Sequence, residues 1–258
     1  FSSQYGNANT AMGVNALYAN FLGGHNTAIG HSAMLDNTDG SYNTASGQYA
    51  LYNNTIGDNN TAYGVQSLES NINGLNHTAI GMNALLTTNG SSGNTALGFE
   101  AGRYYDHDYY ATFIGNGADA NASGFHNSTA LGAFATVTGN NQVRVGSGVT
   151  SIGGPQGWTN YSDSRIKMNV QEDVPGLNFI RLLHPLTYNK SLALENQIIG
   201  RIDTAFYQRE DPYGNTRYSG FIAQDVEAAA QSIGYEFSGV DAPQNEKDLY
   251  GLRYAEFV

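Results

Sequence analysis

Apolar and polar positions in the first part of the chain recur in a fixed order. Asn9-Thr10-Ala11-Met12-Gly13 returns as Asn26-Thr27-Ala28-Ile29-Gly30, Asn43-Thr44-Ala45-Ser46-Gly47 and Asn60-Thr61-Ala62-Tyr63-Gly64. It returns again as His77-Thr78-Ala79-Ile80-Gly81 and Asn94-Thr95-Ala96-Leu97-Gly98, then in looser form at 111–115 and 128–132. The closing glycines stand at 13, 30, 47, 64, 81, 98, 115 and 132, a period of 17, and a second glycine series runs at 6, 23, 40, 57 and 74. A short fixed period marks a unit that buries its apolar face only by stacking on its neighbours. Seventeen residues are too few for two packed helices. Thr, Ile, Val and Tyr favour strands, whereas Asn and Gly favour turns. The pattern predicts a mainly β fold that begins with a parallel β-roll, or solenoid, of 17-residue coils, each running strand, turn, strand, turn. Eight coils stacked at about 4.8 Å give a rod of roughly 38 Å. No proline precedes Pro155, as ladder-bonded backbone requires.

Alternation along a strand sorts the motif into two faces. Thr and the variable, mostly aliphatic residue share one face, which predicts that both point into the coil. Ala and Gly share the other, predicted to be flat, outward and open to a neighbouring chain. Ala16-Leu17, Ala33-Met34, Ala50-Leu51, Ser67-Leu68 and Ala84-Leu85 would form the second strand. So thin a core predicts association, as a homotrimer with the Ala/Gly face near the axis. Thr78→Asp is then expected to harm folding far more than Asp58→Asn.

The pattern changes at Gly153-Gly154-Pro155. Residues 1–154 carry 8 acids and 2 bases, and residues 155–258 carry 14 acids and 9 bases. This predicts two domains, 1–154 and 155–258. In the second, helices are expected from Asp173 to Leu183, with a stripe of Leu177, Ile180 and Leu183, from Leu192 to Ile202, and from Asp225 to Ile233, closed by Gly234. A strand is expected from Tyr218 to Ala223 and a turn over 211–215, making this part α+β. Net charge is −11, which argues against nucleic acid and anionic membranes as partners. There is no cysteine, hence no disulfide framework. No apolar run is long enough for membrane insertion, and no cofactor motif or metal-ligand spacing is present. The first residue, Phe1, suggests a fragment or mature piece.

Two stretches carry candidate chemistry. In Tyr161-Ser162-Asp163-Ser164-Arg165-Ile166-Lys167-Met168-Asn169-Val170, Ser162 stands five residues before Lys167. Serine beside lysine can be a nucleophile with its base, provided that burial or a cationic neighbour such as Arg165 frees the lysine of its proton. On spacing alone, a turn or helix cap with a solvated base is the commoner meaning. Five residues do not share a face of a straight helix, so a bend or short loop must join the pair. The second stretch, Gly102 to Tyr110, breaks the repeat's wording without breaking its period. Tyr104, Tyr105, Tyr109 and Tyr110 suit contact with a glycan or other ligand, or equally a turn packed on a neighbouring protomer. Asp106-His107-Asp108 lacks a metal-binding geometry, since adjacent residues of an extended chain diverge. Trp158 has the place of a cap on the roll.

Ser162-Asp163-x-Arg165-x-Lys167-x-Asn169-Val170 resembles the start of the endosialidase-type intramolecular chaperone domain of phage tail spikes and tail fibres. Leu183-His184-Pro185-Leu186-Thr187-Tyr188, Gly220-Phe221-Ile222-Ala223-Gln224-Asp225-Val226-Glu227 and Leu249-Tyr250-Gly251-Leu252-Arg253-Tyr254 resemble later segments of that family, in order. The resemblance implies self-cleavage with Ser162 as nucleophile and Lys167 as base, with Asp163, Arg165 and Asn169 in support. It also implies a helical bundle after the last strand, where this sequence stops. The Asn-Thr-Ala-x-Gly copies resemble the head repeats of trimeric autotransporter adhesins. Together these imply a trimeric fibre or adhesin tip on a virion tail fibre or extracellular appendage. It would attach to a host receptor or glycan and be released from its own trimerisation chaperone by cleavage at Ser162. A cell-surface adhesin with an uncleaved C-terminal domain is the alternative. An ice-binding or glycan-degrading solenoid is the third reading: ice requires the Thr ladder to face water, and no paired carboxylates recur to form a glycosidase groove.

Overall fold

The computed structural model describes residues 6–104, 106, 109–149, 152, 161–200 and 216–257. The chain forms two compact units, Phe1–Ser147 and Gly148–Val258. The expected boundary at 153–155, Trp158, Tyr105 and the turn at 211–215 lie outside the described residues.

The first unit is a parallel β-solenoid. Its strands are β1 (Thr10–Met12), β2 (Thr27–Ile29), β3 (Thr44–Ser46), β4 (Thr61–Tyr63), β5 (Thr78–Ile80), β6 (Thr95–Leu97) and β7 (Thr112–Ile114). After β8 (Asp119–Ala120) come β9 (Thr129–Leu131), β10 (Thr136–Val137) and β11 (Val143–Val145). All except β8 and β10 pair in one sheet. From β1 to β9 each pairing sets Thr opposite Thr, as in Thr61↔Thr78. The 17-residue spacing is therefore the height of one coil.

The second strand expected in every coil appears only late, as the two-stranded β8–β10 pair. In the earlier coils the Ala-Leu segments run as turns. Ser32 and Met34 have φ of 54° and 49°, Gln66 and Leu68 of 58° and 53°. Left-handed residues two apart leave no extended run. The turns nevertheless stack coil on coil, as in the Leu17 N–H bond to the Ala33 carbonyl at 2.9 Å.

The faces of the strand are the reverse of those expected. Ala28, Ala45, Ala62, Ala79, Ala96 and Ala130 are fully buried, while Thr and the variable residue point outward. The interior already holds a large side chain per coil from the turn wall, namely Leu17, Met34, Leu51, Leu68 and Leu85. Alanine is what the strand can add to so narrow a space. That column passes to Gly102 and then Asp119, and nearby Phe113 replaces the strand alanine and is itself buried. The glycine after each strand makes room for the next coil of the same chain, not for a neighbouring chain. A Cβ on Gly64 would lie 2.5 Å from the Gly81 carbonyl oxygen.

Asparagines, which favour turns, here line the interior. Asn37, Asn54 and Asn71 form a side-chain ladder, with Asn54 Nδ2 donating to Asn37 Oδ1 at 2.7 Å and Asn71 Nδ2 to Asn54 Oδ1 at 2.8 Å. In a second column, Asn43 Oδ1 accepts from the Asn60 N–H (2.9 Å) and Asn43 Nδ2 donates to the Gly57 carbonyl (2.7 Å). These bonds satisfy polar groups that burial would otherwise penalise.

His77 takes an asparagine's place in the second column. Its Nδ1 accepts from the Asn94 N–H at 3.2 Å, and its Nε2 lies 3.0 Å from the Ser91 carbonyl. The geometry requires the neutral ring with its proton on Nε2, since a proton on Nδ1 would face the Asn94 N–H. His77→Asn restores the column's usual residue. A thermal melt is expected to show this variant at least as stable as the parent, because Asn60 makes both contacts in the coil before and Asn94 accepts in the same way in the coil after.

The second unit is α+β. It contains α1 (Leu177–Ile180), β12 (Leu186–Tyr188), α2 (Leu192–Ile198), β13 (Tyr218–Gly220), α3 (Ala223–Ser232), β14 (Val240–Asp241) and β15 (Gly251–Leu252). Strands β12 and β13 pair antiparallel, as do β14 and β15. Helix α1 starts after Gly176 (φ 58°, ψ −127°) rather than at Asp173. It ends at Ile180, short of the expected Leu183; Phe179 is its buried residue and Leu183 is buried beyond its end, while Leu177 and Ile180 are exposed. Helix α2 begins at its Ser191 cap but is followed by Ile199 and left-handed Gly200, short of the expected Ile202, which is outside the described residues. Helix α3 begins two residues before Asp225, and left-handed Gly234 follows it as expected. Phe179, Leu183, Val226 and Ala230 form the core, with Phe237, Val240, Leu252 and Phe257 packed against it.

Candidate functional site

The Ser162 stretch is organised by one short turn. Asp163 caps a single 3-10 turn, Ser164–Ile166, by accepting the Arg165 backbone N–H at 2.9 Å. Lys167 leaves the turn in extended conformation (φ −95°, ψ 121°). A 3-10 turn closes in three residues, so the residues flanking it return to one side. Lys167 Nζ thus stands 2.8 Å from Ser162 Oγ. The required bend exists, and the two side chains meet at the distance proton transfer needs.

Arg165 is engaged elsewhere. Its Nη2 lies 2.6 Å from Asp163 Oδ2, and its Nε bonds both carboxylate oxygens at 3.0 and 3.1 Å. The side-chain bonds to Arg165, then the backbone bond, hold the Asp163 carboxyl below its ordinary range, and Asp163 raises Arg165 in return. The guanidinium is therefore neutralised locally and is not a free cation beside Lys167. Its pairing stiffens the turn between the serine and the lysine. Asn169 sits in left-handed conformation (φ 54°) two residues beyond. Every residue from Tyr161 to Val170 is exposed, including both members of the pair. Among the described residues no group of three or more His, Asp or Glu side chains could hold a metal.

The tyrosine stretch divides. Tyr104 is tethered: its backbone N–H donates to Asp119 Oδ2 at 2.9 Å, its Oη reaches Glu100 at 3.4 Å, and Arg103 stacks over its ring at 5.1 Å. Burial first, then the Glu100 charge, pushes its phenol up. Tyr109 and Tyr110 form a separate pair, with ring centroids 6.1 Å apart. Tyr110 is 70% exposed, and its ring lies against Gly93, where a Cβ would come within 2.8 Å. Gly93 stands where earlier coils carry His25, Tyr42, Asn59 and Asn76.

Residues 162–235 match the family described as chaperone of endosialidase. This segment is an endosialidase-type chaperone domain. The match begins at Ser162 itself, at the Ser–Lys contact, and follows a β-solenoid. No curated protein and no solved structure matches the chain. The core of the chaperone domain extends past the match, because Phe237, Val240, Leu252 and Phe257 pack against the cluster that holds Phe179. No helix of the described residues is long and apolar enough to cross a membrane.

Proposed function

We propose that the chain is the tip of a trimeric fibre, on a phage tail or a related surface appendage, whose chaperone domain aligns three solenoids and then detaches by cutting the chain beside Ser162. The 2.8 Å contact between Ser162 Oγ and Lys167 Nζ at the head of the matched segment carries this reading. Parallel strand pairing over long sequence separations is slow and exposed to aggregation, so a folding aid has work to do here.

In the step proposed, Lys167 takes the Ser162 hydroxyl proton as Oγ bonds to the Tyr161 carbonyl carbon. The Tyr161–Ser162 C–N bond then breaks, and the Ser162 amine takes the proton back. Water hydrolyses the resulting ester, leaving a Tyr161 carboxylate and restoring the serine hydroxyl. Asp163 and Arg165 act as positioning residues through the turn. Both reacting side chains are exposed in the single chain, whereas a lysine base is favoured by desolvation. Cleavage is therefore expected after assembly covers the site, once per chain.

Intact mass of the full-length protein after assembly tests this. Ser162→Ala and Lys167→Ala are expected to stay whole while still assembling, and Ser164→Ala to be cut. A fragment ending at Tyr161 supports the acyl shift, and one ending at Ser162 moves the break to the following bond. Normal cutting by Lys167→Ala overturns the Ser–Lys reading. The same exposure favours a second reading, a surface adhesin with an uncleaved C-terminal domain, and an uncut parent chain would select it. Tyr109 and Tyr110 are the proposed contact for a surface glycan or receptor.

A further inference from the structure

We infer that copies of this chain meet through the outward face of the strand column, with that face turned to a common axis. The inference rests on the trimeric reading above and names the surface that reading needs. Three columns make the face: the strand threonine, the variable residue two places on, and the residue after the closing glycine. Tyr63, Leu97, Met82 and Phe99 are 63%, 47%, 43% and 42% exposed, so this face shows large apolar groups to solvent. Such a patch on a soluble chain marks an interaction site.

Charge identifies the partner. Three columns over eight coils give 24 positions, and none holds Asp, Glu, Lys or Arg, although residues 1–154 carry 8 acids and 2 bases. The acids of the solenoid, such as Asp39, Asp58 and Glu69, stand at other places in the coil. At a symmetry axis each residue meets its own copy, so a charge there would meet its like. A face turned to a foreign partner has no such reason to be neutral throughout. Thr hydroxyls both donate and accept, so each can bond its own copy. The number of positions also fits, since about 20–30 residues per side form a stable interface. Ser46 and Tyr63 interrupt the variable column, which spoils the flat lattice that ice binding would need, even though the Thr ladder does face outward.

A consequence concerns the chaperone domain. Every coil offers nearly the same face, so a slip of one coil between copies forfeits little and the solenoid alone specifies its alignment weakly. Something outside the repeat must set it, and the C-terminal domain is placed in the chain to do so.

The chain has no cysteine, so single-cysteine variants report proximity cleanly. Leu97→Cys in the full chain is expected to form a covalent dimer on oxidation, read on a denaturing gel. Asn73→Cys, exposed elsewhere on the coil, is expected to form none. Ile80→Glu, at a surface position, is expected to keep the far-UV signal while sedimentation shows association weakened at least about tenfold. A trimer by sedimentation that cross-links at 73 but not at 97, or that tolerates Ile80→Glu, overturns the face and leaves the trimeric reading standing. A monomeric parent overturns both.

Discussion

Ala79→Asp leaves the solenoid unable to fold, whereas Thr78→Asp, one residue earlier, leaves it folded. Ala79 is fully buried and sits in register between Ala62 and Ala96, both fully buried too. A carboxylate there has no cation within the coil to pair with, and an uncompensated buried charge costs about 3–5 kcal/mol. Its extra volume costs more, because the alanine column has no slack. Thr78 points outward, so its replacement leaves the interior alone. What Thr78→Asp loses is association, since it puts a charge on the neutral face. Far-UV circular dichroism and thermal melting distinguish the two. Matching melting midpoints would show that alanine is not the inward residue.

Gly64→Ala is expected to destabilise the solenoid by about 3 kcal/mol or more, while Gly24→Ala is nearly neutral. Gly64 has φ of 134°, and a Cβ would stand 2.5 and 2.6 Å from the carbonyl oxygen and carbon of Gly81 in the next coil. Backbone in that region costs a non-glycine residue about 1–3 kcal/mol before any clash is counted. The clashing atoms are backbone held in the parallel ladder, so relief requires opening the stack. Gly24 has no such φ, and the nearest atom to its Cβ would be the Asn7 oxygen at 3.2 Å. Melting midpoints are expected to fall by about 6–12 °C for Gly64→Ala and by a degree or two for Gly24→Ala. Equal shifts would mean that the glycine after the strand is not a close-approach residue.

The period of 17 was enough to predict the stacked parallel coil, because equivalent residues of successive coils pair at that spacing, as Thr61 does with Thr78. The order of motifs from Ser162 to Tyr254 was enough to predict the α+β chaperone domain. The inward face was a different matter. A two-residue alternation separates two sets of side chains without saying which is inside, and hydrophobicity favours the aliphatic set, which here lies outside. The deciding quantity is the width of the coil. Leu17, Met34, Leu51, Leu68 and Leu85 fill it from the turn wall, and that is known only once the chain has closed. The buried asparagines were hidden for a related reason: their polar atoms are satisfied by residues 14 and 17 positions away, which a local propensity for turns does not register. Ser162 and Lys167 were legible as residue types, but their spacing fits neither face of a straight helix. Only the 3-10 turn capped by Asp163 brings amine and hydroxyl to 2.8 Å, because the meeting of two side chains depends on the path of the backbone between them.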